Sequence, residues 1–209
     1  MKKFYISIML AAIVIAGITA SINIKNEEQP ENIFASNLWS DEVLNNSFLA
    51  DHSDSVVTGH VIKILPSRWN TADGLKPIST GKMASSKEES EAIQKENVIY
   101  TDVLIKVDKK IKNNLIPSVI IVRTLGGQVG EEKMIEQDDA KFELGENVFL
   151  FLTKEDPFTD NSVGTHYRVT GWKFGKFSVT KDNQAIRLDL PKEHQKIALE
   201  ELSNSIGAQ

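Results

Sequence analysis

Asp51-His52-Ser53-Asp54 sets two carboxylates and an imidazole side by side, a donor set able to hold a divalent metal. His60 is close enough in sequence to join His52 and Asp54 as a third candidate ligand. His166 and His194 lie far along the chain, and no His-Glu-x-x-His element is present. A helix-to-strand junction uses the same residue types as caps, and that structural reading is the simpler one. Glu136, Asp138, Asp139 and Glu143, and later Asp156, Asp160 and Asn161, offer oxygen donors for calcium. The regular alternation and glycine of an EF-type loop are absent, so solvated acidic loops account for them. No Gly-x-Ser-x-Gly elbow accompanies the histidines. The sequence therefore assigns no catalytic residue, no bound metal and no cofactor.

A second group of residues is suited to binding. Val119–Thr124 is an apolar, β-branched run that breaks into Gly126, Gly127 and Gly130. A phosphate loop would need a lysine and a hydroxyl residue after the glycines, and a dinucleotide fingerprint would need another spacing, so the cluster reads as a shaped turn. Gln128 and the backbone groups around it can line a binding surface. Trp69 and Asn70 stand at the start of a long loop, and Trp172 stands between Gly171 and Gly175. Trp69, Trp172, Phe174 and Phe177 could form an aromatic ligand face, although packing at a corner explains Trp172 more simply.

Export is written into the start of the chain. Lys2 and Lys3 precede an uncharged stretch of 21 residues from Phe4 to Ile24. Ile8–Ile18 suits a signal peptide with small residues at Thr19, Ala20 and Ser21, while the full stretch is long enough for an uncleaved anchor. Residues 1–24 are read as one or the other, 25–37 as a polar stalk, and 38–209 as a single domain placed outside the cytoplasm. The formal charge of −5 becomes −7 beyond residue 24, with 22 basic and 29 acidic residues, which argues against a phosphate-tracking nucleic-acid binder. There is no cysteine, so disulfide scaffolds, thiolate sites and lipid attachment through cysteine are excluded.

Within the domain, Ser40 is expected to cap a helix through Val43, Leu44, Phe48 and Leu49. Strands are expected at Asp54–Leu65, with a bulge at Gly59, and at Val98–Val107, Val119–Thr124, Asn147–Thr153, Tyr167–Gly171 and Lys176–Thr180. Residues 66–97 read as a long functional loop with an exposed helix at 85–97. Asn113-Asn114 and Asp182-Asn183 read as turns. Residues 131–143 read as an irregular excursion with a short helix. A helix starting near Pro191 should bury Leu199, Leu202 and Ile206.

Taken together, Asp54-Ser-Val-Val-Thr-Gly-His-Val, Ile99-Tyr-Thr, Val122-Arg-Thr-Leu-Gly-Gly-Gln-Val-Gly, Gly145-Glu146 with Val148-Phe-Leu-Phe-Leu, Tyr167-Arg-Val-Thr-Gly and Gly175-Lys-Phe resemble a widespread family of exported prokaryotic proteins. The resemblance covers roughly residues 40–180, and the chain departs from it in its long loop and in Leu125, where proline is usual. It implies a mainly β fold, a small OB-like Greek-key barrel with flanking N- and C-terminal helices, distantly like netrin-type domains. The family carries no activity to transfer, and the inhibitory mechanism of metalloproteinase inhibitors of related fold needs an N-terminal cysteine that is missing here. The expected function is a non-catalytic extracytoplasmic binding module for an unidentified envelope or exported protein, with membrane contact through the N-terminal segment if it is uncleaved. A hydrolase using His52, Asp54 or His60 and a glycan-binding barrel are the alternatives.

Overall fold

The computed structural model describes residues 33–35, 41–78, 84–159, 164–187, 190 and 195–207. The expected export segment, most of the stalk, Ser40, Asp160, Asn161 and His194 lie outside them. Among the described residues no helix is long and apolar enough to cross a membrane.

The chain is mainly β, built on a large antiparallel sheet. Its centre is β2 (Ser55–Ile64), which pairs with β4 (Ile99–Lys112) on one side and β8 (Asn147–Thr153) on the other. β4 also carries β3 (Arg68–Trp69) and β5 (Val119–Leu125). β8 carries β9 (Arg168–Val169) and β10 (Lys176–Val179), and β10 continues to β11 (Gln184–Ile186) and β12 (Lys196–Ala198). Val122 of β5 bridges Tyr167, the residue before β9, in parallel. Arg123 N donates to Tyr167 O at 2.8 Å, and Tyr167 N donates to Ile121 O at 2.8 Å.

Gly59 has the role expected of it. The β2–β4 register shifts between Thr58 and Gly59, and a Cβ on Gly59 would stand 2.4 Å from the Lys106 carbonyl oxygen. Only a residue without a side chain lets the strands coil this closely. The two Asn turns also form, with Asn113 and Asn183 at φ 68° and 56°.

β8 is apolar at every position from Val148 to Leu152 because both of its faces are covered. Val148, Leu150 and Leu152 pack with Val57, Ile105, Val122 and Tyr167, while Phe149 and Phe151 pack on the other side with Leu49, Phe177 and Leu202. Truncating either phenylalanine to alanine would cost ~3–5 kcal/mol. The second face is closed by α1 (Asn46–Asp51) and α3 (Leu199–Gly207), whose Leu49, Ala50, Leu202 and Ile206 are buried.

Three expectations are corrected. The N-cap is Asn45, whose side chain accepts the amides of Ser47 and Phe48; a 3-10 turn at Asp41–Leu44 precedes it and breaks the single helix that apolar spacing suggested. Residues 131–143 begin as a strand, β7 (Glu132–Glu136), folded back on β6 (Gly127–Val129) through Gly130 at φ 61°. Residues 33–35 form β1, which pairs with β7 in parallel. The C-terminal helix starts at Leu199, after β12, rather than beside Pro191.

Candidate functional site

The candidate metal ligands do not converge. His52 Nδ1–H donates to the Phe48 carbonyl, 2.8 Å away, and its ring stacks on Phe48 at 4.0 Å. Asp54 accepts the Lys154 amide at 2.7 Å and the Thr153 hydroxyl at 3.3 Å, which ties the start of β2 to the end of β8. His60 sits on β2 and pairs at the surface with Asp108, 3.0 Å away. Among the described residues no group of three or more potential ligands is clustered for a metal.

The calcium-type acids divide in the same way. Asp138 pairs with Lys173 at 3.1 Å. Asp156 and Asp139 belong to a buried charge network that is not legible in local residue spacing. Asp156 accepts His166 Nε2 at 2.7 Å, the Thr159 hydroxyl, and the amides of Phe158 and Thr159 at 3.0 and 3.2 Å. Arg168 Nη1 lies 3.6 Å from Asp156, and Arg168 Nη2 donates to Asp139 at 3.1 Å. Asp139 also accepts the amides of Leu125 and Ala140, which fixes the end of β5. Arg123 grips Asp102 with two bonds of 2.7 and 3.0 Å, donates to Thr159 at 3.2 Å and lies 3.8 Å over the Tyr100 ring.

Burial would raise the Asp156 carboxyl, but hydrogen bonds from His166 and Thr159, with Arg168 beside them, hold it well below the usual carboxylate range. Burial pushes Asp139 up, against the pull of Arg168 and the two amides. A hydroxyl, an imidazole and a carboxylate are therefore in contact, but not as a nucleophilic relay. Such a relay sets the imidazole between the other two, one ring nitrogen to each. Here His166 Nε2 faces both Asp156 and Thr159, while Nδ1 faces the Gly164 carbonyl at 3.0 Å. Thr159 and His166 are 2% and 3% exposed, so both side chains are buried. The network is a lock that binds the loop after β8 to β5 and β9.

The expected binding residues fall into two places. Trp172 is half-buried at φ 60°, a conformation costly for a bulky residue, and it packs edge-on to Phe158 at 5.2 Å and against Arg168 at 4.9 Å. It roofs the charge network. The rest come together around β6. Trp69 and Asn70 are buried at 6% and 4% exposure and act as the root of the long loop. Asn70 N bonds to Val98 O at 2.8 Å and its side chain to Lys95 O at 3.0 Å. Gly126 is buried at φ 92°, its amide bonded to Ile99 O at 2.7 Å. Thr101 Oγ1 is 2.9 Å from the Gly126 carbonyl and 2.8 Å from Ser67 Oγ, and a Cβ on Gly127 would strike Ser67.

Gln128 and Gly130 are exposed beyond this contact, and Lys76 of the loop pairs with Glu132 of β7. The loop is thus clamped to the hairpin. An Asp73-centred turn, with Asp73 accepting the Leu75 amide at 2.9 Å and Thr71 donating to Leu75 O at 2.8 Å, presents Leu75 at 64% exposure, and Ile78 follows at 89%. The helix α2 (Lys87–Glu96), capped by Ser86, buries none of its residues. Sequence reasoning found the loop and the turn but not Leu75 and Ile78. Their signal in the sequence is two large apolar residues inside a polar loop.

Compared with known proteins, the chain matches no protein-family model and no curated protein sequence.

Proposed function

We propose that the chain is an extracytoplasmic, non-catalytic binding module that docks a partner protein on the surface formed by loop residues 66–78 and the β6–β7 hairpin. The observation that carries the reading is the presentation of Leu75 and Ile78 to solvent on a loop pinned by Ser67, Asn70 and Lys76. Apolar side chains held out on an ordered loop are preorganised for burial against another surface, and the ordering cost is met before binding. The uncharged N-terminal stretch supports an extracytoplasmic location. An OB-like Greek-key barrel is the architecture we infer, supported by the succession of pairings β5–β4–β2–β8–β9 and by the parallel bridge between Val122 of β5 and Tyr167, just before β9.

The test uses the full tagged chain in mild detergent against solubilised native envelope, beside Leu75→Ser/Ile78→Ser and a deletion of 73–96. A partner retained by the native chain and lost from both folded variants is the expected result. The same proteins retained by all three would overturn the assignment of this surface.

A further inference from the structure

A cavity of about 220 Å³ lies between the turn at 137–141 and the strands β10 and β11. Lys141, Lys173, Lys176 and Arg187 line it together with the apolar Phe174 and Ile186 and with Asp139, whose carboxylate is taken up by Arg168 and by the Leu125 and Ala140 amides. Lys173 and Lys176 are already paired, with Asp138 at 3.1 Å and Glu146 at 2.5 Å, and Lys141 donates to the Glu136 carbonyl at 2.6 Å. Arg187 differs. It is 6% exposed and has no carboxylate partner among the described residues. Two backbone carbonyls, Phe174 O at 3.0 Å and Leu44 O at 3.2 Å, and the Phe177 ring at 4.3 Å hold its guanidinium, while its Nε–H has no acceptor.

A buried guanidinium fits best against a planar oxyanion that takes its remaining donors. We infer that this cavity binds a small organic carboxylate, its anionic head against Arg187 with the lysines around it and its apolar body against Phe174 and Ile186. Burial without a counter-charge pulls the Arg187 guanidinium down to about 10, in keeping with a charge that a ligand would compensate. The chemistry is independent of the loop surface proposed above.

The probe is benzoate, titrated calorimetrically into the full chain in mild detergent, with acetate and inorganic phosphate as parallel arms and sodium chloride at matched ionic strength as control. Saturable benzoate binding is expected, weaker for acetate, absent for chloride. Phosphate binding tighter than benzoate would overturn the carboxylate assignment. Arg187→Gln should abolish the heat. Because Arg187 also ties the fold, the exposed rim residue Gln137 supplies a second pair of variants. Gln137→Glu should weaken benzoate binding several-fold and Gln137→Lys should strengthen it. Absence of saturable heat from folded native chain, or equal affinity in both Gln137 variants, would overturn the proposal.

Discussion

Two arginines buried to nearly the same degree are treated in opposite ways. Arg168, 5% exposed, stands between the carboxylates of Asp139 and Asp156 and under the rings of Phe158 and Trp172. Among the described residues Arg187, 6% exposed, meets two carbonyls and one ring and no carboxylate. The difference teaches where this protein uses charge to build and where it leaves charge in reserve. A buried ion pair gives little net stability, but removing one member strands the other, so Arg168 is structurally indispensable. A guanidinium held by neutral acceptors strands no opposite charge when it is lost.

The largest effect that sharpens this contrast is expected from Arg168→Met. It leaves Asp139 and Asp156 buried beside no cation and should cost ~3–5 kcal/mol in urea unfolding. Loss below about 1 kcal/mol would mean that the network is not a lock. Arg187→Met should cost less, about 1–2 kcal/mol, since only two carbonyls lose a donor. A cost equal to that of Arg168→Met would erase the contrast.

The pH dependence of stability separates the sites further. Asp156 titrates lower in the folded chain than its ordinary value of ~3.9, so its contribution is complete above that range and is lost as pH falls through and below it. Asp156→Asn should therefore flatten the acid limb of the stability profile between about pH 5 and 2, and an unchanged acid limb would remove Asp156 from the account. The smallest effect is expected from His60→Ala. Its pair with Asp108 is at the surface, and the melting temperature should stay within experimental error.

The same contrast explains what could be read in advance. The strands, the coil at Gly59, the turns at Asn113 and Asn183 and the buried face of the last helix were legible because each follows from local spacing or backbone sterics. The loop and the glycine turn were legible as separate features, but not their clamping through Ser67, Thr101 and Lys76. His166 and Arg168 alternate with Tyr167 and Val169, so the period of a strand assigns them to the outer face. Phe158 and Trp172 cover that face, and His166 and Arg168 are buried with Asp156 beneath them.

Sequence by itself determined the main strands around β2, the apolar faces and the turns at Asn113 and Asn183, because these depend on side-chain type and on neighbours within a few residues. Only the tertiary structure decided that His52, Asp54 and His60 stay apart, that Asp156, His166 and Arg168 meet, and that Arg187 is left without an acid among the described residues. Those outcomes depend on which strands become neighbours and which faces are roofed, and charge in a buried place acquires its meaning from partners tens of residues away.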